Sequence, residues 1–229
     1  MNSVNIASQL HAVQQRIYQA CDSFARQPNT VQLIGASKTK PAADIRTLFN
    51  FGLKHFGENY LNEAITKQAD LPDLEIIWHY IGQIQSNKTK LIAENFSWVH
   101  GIDRFKIARR LNEHCPPEKP LNILLQINLD NETSKAGIVP EEAVTLAKQL
   151  IELPNLCLRG LMALPQPRNN FNEQKDCFLK LKSLHTSINQ VLEIQMDTIS
   201  AGMSNDLEAA IAAGSTMIRI GTDLFGARP

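Results

Sequence analysis

The sequence predicts an α/β fold in which residues 1–229 form one (β/α)₈ (TIM) barrel domain with an extra helix before the first strand. Eight short apolar runs, helical patterns between them and a regular spacing support this prediction. The predicted strands are residues 31–38, 55–59, 78–82, 98–102, 121–128, 158–164, 193–200 and 217–221. Several are apolar on both faces, which is typical of parallel strands covered by helices.

The segments between these runs carry helical patterns that end on glycine. After the first strand, Pro41 suits the first helical position, and Gly52 can supply the left-handed stop. Before the last strand, a helix is predicted from Ser204, as its N-cap, to Gly214. Successive strands start 20 to 37 residues apart, close to one barrel unit each. A closed barrel is therefore favoured, with a doubly wound open sheet as the alternative.

Composition narrows the classes of partner and compartment. Lys and Arg number 23 and Asp and Glu number 23, so the chain lacks the positive charge that nucleic-acid binding requires. The four cysteines form no CxxC pair and are expected to be reduced, small core residues. With neither a signal-peptide pattern nor a membrane-spanning run, the protein is predicted to be cytoplasmic. The histidines show no metal-ligand spacing, and no metal is expected.

Lys38 is the first candidate for chemistry. Period-two alternation places it on one face with Ile34 and Ala36, at the carboxyl end of the first strand, which is the functional end of such barrels. A partly desolvated lysine there has its charged form disfavoured, and its neutral amine can attack an aldehyde carbon. On position alone, a solvated lysine at a strand end is the simpler interpretation.

A second group of candidates follows the last two strands. Ser200 and Ser204 follow strand seven, and Gly221 and Thr222 follow strand eight, where barrels frequently bind phosphate. Arg219 shares a face with Gly221. If that face is the barrel interior, this charge needs an anion or another acceptor, either a structural ion pair or a ligand atom such as a pyridine nitrogen.

Long ordered motifs then give a resemblance over nearly the whole chain. They are GASKTKP (35–41), HFGENY (55–60), WHYIGQIQSNK (78–88), NETSKAGI (131–138), LRGLMALP (158–165) and GMSNDLEAAIAAGSTMIRIGTDLFGAR (202–228). Together they resemble the pyridoxal phosphate homeostasis protein family. The resemblance implies a barrel like the N-terminal domain of alanine racemase, with pyridoxal 5′-phosphate (PLP) as its cofactor.

The resemblance also implies roles for single residues. Lys38 would hold PLP as a Schiff base, and Arg219 would lie beside the pyridine nitrogen. The remaining implied cofactor-binding residues are Ser204, Gly221 and Thr222 at the phosphate and Asn59, His79 and Ser200 in the pocket. An arginine only donates a hydrogen bond to that nitrogen, so PLP would be a weak electron sink. No catalytic residue is assigned.

Three functions remain open at this point. The favoured one is a PLP carrier or donor in vitamin B6 homeostasis, without robust catalysis, which hands PLP to apo PLP-dependent enzymes. An amino-acid racemase is the alternative, although the chain ends at Pro229 and Tyr18, Tyr60 and Tyr80 offer no clear opposing base. A Schiff-base aldolase acting on a sugar phosphate is the third.

Two further lysines and the oligomeric state complete the expectations. Lys88 and Lys135 lie in predicted loops on the same rim as Lys38 and could accept or hand on PLP, although solvated loop lysines are the simpler interpretation. A monomer is preferred, since no dimerising module is evident.

Overall fold

The computed structural model describes residues 3–132 and 136–226. Its strands pair in parallel in chain order, and the first also pairs with the eighth, so the sheet closes into a barrel. The strands are β1 (Gln32–Ala36), β2 (His55–Glu58), β3 (Ile77–Tyr80), β4 (Trp98–Ile102), β5 (Leu121–Ile127), β6 (Leu156–Ala163), β7 (Thr198–Ser200) and β8 (Met217–Ile220). The predicted closed barrel is confirmed, and the open sheet is excluded.

Helices alternate with the strands around the outside. They are α1 (Ser3–Ser23), α2 (Ala42–Asn50), α3 (Leu61–Asp70), α4 (Thr89–Asn95), α5 (Phe105–His114), α6 (Ala143–Leu150), α7 (Phe171–Leu192), α8 (Leu207–Ala212) and α9 (Thr222–Phe225). The first of these is the extra helix that the sequence predicts. In the part of the chain that the structure describes, none of the helices has the length and apolar character needed to span a bilayer.

Helix α1 is fastened to the loop after β7 and to the helices α8 and α9. Arg16 donates from Nε to Glu208 at 2.8 Å, from Nη1 to Asp223 at 2.6 Å and from Nη2 to the carbonyl oxygen of Ser204 at 2.8 Å. Charge-assisted hydrogen bonds of this kind are stronger than neutral ones. The extra helix therefore braces the segments after β7 and β8, in which a phosphate site is predicted.

Hydrophobic residues pack in two layers. The larger layer lies between the sheet and the helices. A smaller cluster lies on the inner faces of the strands, and its buried members are Ile34, Trp98, Leu124, Met162 and Met217. The barrel interior also holds buried polar side chains, among them His79, His100, Ser200 and Arg219. Such groups need hydrogen-bond partners inside the barrel.

The ends of several elements differ from their predicted positions. Strand β7 begins at Thr198, not at residue 193, because Glu193 caps α7 in a left-handed conformation with φ of 53°. Strand β1 ends at Ala36, so Lys38 lies in the turn beyond it. Pro41 is the residue before α2 and not its first residue, whereas Gly52 has the predicted positive φ, 96°.

Two further predictions are wrong. Ser204 is not the N-cap of α8: that helix begins at Leu207 after Asp206, which caps without a side-chain hydrogen bond. The Asp206 carboxylate instead accepts from the Met203 backbone N–H at 2.6 Å and closes the loop. Cys157 is exposed, because it faces outward near the start of β6, while the other three cysteines are buried as expected.

Candidate functional site

The carboxyl ends of the strands surround a cavity of about 370 Å³. Most of the predicted site residues meet in its wall: Lys38, Asn59, Ser204, Arg219, Gly221 and Thr222. They come from the ends of β1, β2, β7 and β8, and parallel strands in a closed barrel present those ends on one face. The predicted lysine and the two predicted phosphate loops therefore lie in one cavity.

A buried ion pair holds the turn that carries Lys38. The Ser37 hydroxyl donates to the Glu58 carboxylate at 2.6 Å, and the Lys67 ammonium donates to the same oxygen at 2.7 Å. Lys67 also donates to the Ser37 carbonyl oxygen at 2.7 Å and to Glu63 at 2.5 Å. These bonds fix the backbone on the amino-terminal side of Lys38.

The same cluster was not predicted from the sequence. Glu58 is fully buried at the end of β2 and Lys67 is only 5% exposed on α3. Burial raises the pKa of Glu58, although hydrogen bonds from Lys67 and Ser37 act to lower it. The one available signal was the glutamate within HFGENY, at a strand end where a charged residue needs a buried partner.

The turn is also held from its other side. The Thr39 backbone N–H donates to Glu63 at 2.6 Å, and Thr39 has a left-handed φ of 63°. Lys40 donates to the carbonyl oxygens of Phe225 and Gly226 at 3.1 and 3.3 Å, next to the loop after β8. Lys38 is half-buried between these anchored neighbours. Its side chain therefore extends from a fixed backbone into the cavity.

Contacts within the protein do not require a glycine at position 221. A Cβ at this position would lie 3.4 Å from the Ala36 carbonyl oxygen and 3.7 Å from the Ala36 Cβ, which is ordinary contact. Its φ of −111° is open to any residue. Gly221 lines the cavity with Ser204 and Thr222 and adds no side chain there. A ligand that approaches the backbone closely is a physical reason for glycine here.

Arg219 contributes a buried cation to the cavity floor. It is 5% exposed, and burial lowers its pKa to about 10. Nη1 donates to the Ser200 hydroxyl and Nη2 to the Ala163 carbonyl oxygen at 3.0 Å. No carboxylate of the described residues forms a salt bridge with it, although the Asp206 carboxylate attracts its charge without contacting it. The guanidinium has five N–H donors and keeps some for a ligand acceptor.

Asn59 presents an unsatisfied polar atom at the same cavity. Its side-chain Oδ1 is buried without a hydrogen-bond partner among the described residues. Its backbone lies close to the loop after β3, and a Cβ at Gly82 would lie 2.2 Å from the Asn59 carbonyl oxygen. An orphaned buried acceptor is costly unless a ligand or water satisfies it.

Two predicted residues lie elsewhere. His79 and Ser200 are fully buried inside the barrel and do not line this cavity. His79 is hydrogen-bonded to His55 and His100, each at 2.9 Å, and Ser200 contacts the site only through Arg219. Lys88 ends a short 3₁₀ turn and is also outside the cavity wall, whereas Lys135 lies outside the described residues.

The fold and this cavity define the alanine-racemase class of (β/α)₈ barrel. A family model described as "Alanine racemase, N-terminal domain" matches residues 10–229, and the chain belongs to that family. Within it, the chain belongs to the pyridoxal phosphate homeostasis proteins. Relatives of that name are 51% identical in Pseudomonas aeruginosa, covering 97% of this chain and 96% of the relative, and 49% identical in Haemophilus influenzae, covering 98% and 97%.

A solved structure has the same fold. PipY of Synechococcus elongatus, determined with PLP bound, is 34% identical to this chain with a TM-score of 0.84. The match covers 96% of this chain and 100% of PipY. The family resemblance and the alanine-racemase-like barrel predicted from the sequence are therefore confirmed.

Proposed function

We propose that this protein binds PLP as a Schiff base on Lys38 and delivers it in the cytoplasm to apo PLP-dependent enzymes. The observation that carries the proposal is the meeting of Lys38, Arg219 and the two loops after β7 and β8 in one cavity. Each offers a group that PLP requires: an amine for the aldehyde, a donor for the ring nitrogen and a cradle for the phosphate. The relatives named for PLP and the PLP-bound PipY support the choice of cofactor.

Each proposed contact has a physical basis in this chain. Ser204 and Thr222 supply hydroxyl donors, and Gly221 lets the phosphate approach the backbone. Arg219 remains a hydrogen-bond donor because even its lowered pKa, about 10, keeps it charged at neutral pH. Bound PLP supplies an electron sink, which a donor that cannot protonate the ring nitrogen leaves weak. The orphaned Asn59 Oδ1 would gain a partner directly or through water.

The cavity favours a carrier over a racemase. Racemisation needs a proton acceptor on one face and a donor on the other. None of the three tyrosines lines the cavity: Tyr18 and Tyr60 are more than half exposed, and the Tyr80 hydroxyl donates to the Gln83 carbonyl oxygen at 3.1 Å. Asp206 does line it, but its carboxylate is engaged with the Met203 backbone. Reversible covalent holding needs no second base.

The first test is spectroscopic. The protein reconstituted with PLP is expected to be yellow, and Lys38→Ala is expected to abolish the near-visible band. Lys40→Gln is the matched control, because it removes the amine of another lysine that lines the cavity and keeps an amide donor for the carbonyl oxygens of Phe225 and Gly226. Survival of the band in Lys38→Ala would contradict the proposal. A colourless protein that forms a Schiff base with a sugar phosphate would favour the aldolase.

The second test addresses delivery. Purified protein loaded with PLP is mixed with a defined apo-enzyme while free PLP is trapped, and recovery of enzyme activity is followed. The loaded protein is expected to reactivate the apo-enzyme faster than free PLP does in the presence of the trap. Lys88→Ala and Lys135→Ala, compared with the unmodified protein, decide whether either lysine takes part. Interconversion of an L- and a D-amino acid at a rate that Lys38→Ala abolishes would instead establish the racemase.

A further inference from the structure

Three buried or half-buried histidines form one continuous chain through the barrel interior. His55 Nδ1 lies 2.9 Å from His79 Nε2, and His79 Nδ1 lies 2.9 Å from His100 Nε2. His100 Nδ1 lies 3.0 Å from the Ser200 hydroxyl, which accepts from Arg219. The histidines come from β2, β3 and β4, and the chain runs from the start of β2 to the floor of the PLP cavity.

These imidazoles are neutral at physiological pH. Burial lowers the pKa of His55 to about 4 and holds the pKa values of His79 and His100 well below the usual range. The charge of Arg219 lowers the pKa of His100 further. A neutral imidazole carries one proton, so one ring nitrogen donates and the other accepts.

The geometry then allows only two arrangements of the protons on the three hydrogen-bonded imidazoles. Each close nitrogen pair needs one proton between its members, because two lone pairs or two N–H groups in contact repel. If one ring changes tautomer, its neighbours must change with it. Either all three rings carry the proton on Nε2, or all three carry it on Nδ1.

Ser200 and Arg219 select between the two orders. With protons on Nε2, the Ser200 hydroxyl accepts from Arg219 and donates to His100 Nδ1. With protons on Nδ1, that hydroxyl accepts twice, and its own proton has no acceptor among the hydrogen bonds of the described residues. The first order also points every imidazole lone pair toward the Arg219 cation, and a low-dielectric interior strengthens this attraction.

We propose that His55, His79 and His100 form a single proton-ordered chain, protonated on Nε2, that positions the Arg219 guanidinium through Ser200. Among the described residues Arg219 forms no salt bridge, and the Asp206 carboxylate attracts its charge without contacting it. Three aligned imidazole dipoles add to this negative potential through Ser200. They are positioning residues, since none of them lines the PLP cavity.

The His55 end of the histidine chain lies at the amino-terminal face of the barrel. His55 lines a second cavity of about 500 Å³ at the amino-terminal ends of β1 and β2, where His11, Tyr18 and Lys54 are its titratable neighbours. In the proposed order, the His55 Nε2–H is the outermost donor of the chain. The histidine chain therefore presents an N–H donor, that of His55, to this second cavity.

The proposal rests on the proposed function only in its last step, the placement of Arg219 against the cofactor ring. Its main test therefore uses protein without PLP. Nitrogen-15 NMR of histidine-labelled protein reports the tautomer of each ring directly. All three rings are expected to be neutral with Nε2–H at neutral pH. A doubly protonated ring, or Nδ1–H at any of the three, overturns the proposal without any variant.

Variants test the coupling along the chain. Ser200→Ala removes the donor to His100, and the nitrogen shifts of His100, His79 and His55 are expected to change together. Ser215→Ala is the matched control, because this buried serine on the same side of the barrel bonds only backbone groups. Its three histidine spectra are expected to match the unmodified protein. Unchanged shifts of His79 and His55 in Ser200→Ala overturn the coupling.

PLP-loaded protein provides the last readout. His100→Leu is expected to shift the absorption maximum of the bound cofactor, because Arg219 loses its fixed position. His100→Gln is expected to restore the maximum, since an amide can accept from Ser200 and donate to His79. Identical spectra for His100→Leu and the unmodified protein overturn the positioning role. An unmodified protein without any band contradicts the PLP proposal instead and leaves the NMR result standing.

Discussion

Replacing Lys67 with methionine tests the buried pair that holds the Lys38 turn. The ammonium makes three hydrogen bonds, to Ser37, Glu58 and Glu63, at 2.5 to 2.7 Å. Methionine keeps most of the stem but leaves the fully buried Glu58 without its cation. Breaking one partner of a buried ion pair costs about 3–5 kcal/mol. Since the pKa of Glu58 is already raised by burial, the loss is expected to shrink at acid pH, where this carboxyl is protonated.

The assay is urea unfolding followed by circular dichroism, with a double-mutant cycle. Glu58→Gln combined with Lys67→Met removes the unpaired charge and is expected to recover much of the loss. Lys90→Met is the control, because Lys90 pairs with Glu94 at 3.9 Å on the surface and should change stability by at most about 0.5 kcal/mol. A Lys67→Met loss as small as that of the control, or no recovery in the double variant, would refute the reasoning.

Two other predictions concern ligand affinity and acid stability. Gly221→Ala is expected to lower PLP affinity about tenfold or more. It is expected to change the free energy of unfolding by under about 1 kcal/mol, since the new Cβ meets only ordinary contacts. Equal losses of free energy in a PLP titration and in urea unfolding would contradict this prediction. The pKa of buried His185 is lowered from 6.5 to about 4, so the unfolded state binds more protons between these values and stability falls as pH drops through that window. His185→Gln should flatten the fall by up to about 1.4 kcal/mol per pH unit in urea titrations, and an unchanged slope would show that this histidine is not the group responsible.

Most of the barrel could be predicted because hydrophobic runs mark buried strands. Where prediction failed, the local pattern had two structural solutions. Residues 193–197 alternate polar and apolar side chains as a strand would, yet Glu193 closes the long helix α7 in a left-handed cap, and the strand begins only at Thr198. Serine is a typical N-cap residue, but the loop before α8 places Ser204 in the cavity wall.

Some residues of the candidate site could be predicted from the sequence, and others could not. Lys38, Arg219 and the phosphate loops could be brought together in advance, because the carboxyl ends of parallel strands share one face. Lys67 could not, since its partner Glu58 lies on another element and only tertiary packing pairs them. The histidine chain was missed because the three residues come from separate strands; one inward histidine in each of three successive strands was the available signal.

The proposed function depends on a covalent bond between Lys38 and PLP. Borohydride reduction of the PLP-loaded protein, followed by proteolysis and peptide mass mapping, identifies the lysine that forms it. A stable phosphopyridoxyl adduct is expected on the peptide containing Lys38, and no adduct on that peptide in Lys38→Ala. An adduct found instead on Lys40 or Lys88, or none in a protein that retains PLP, would contradict the proposed bond.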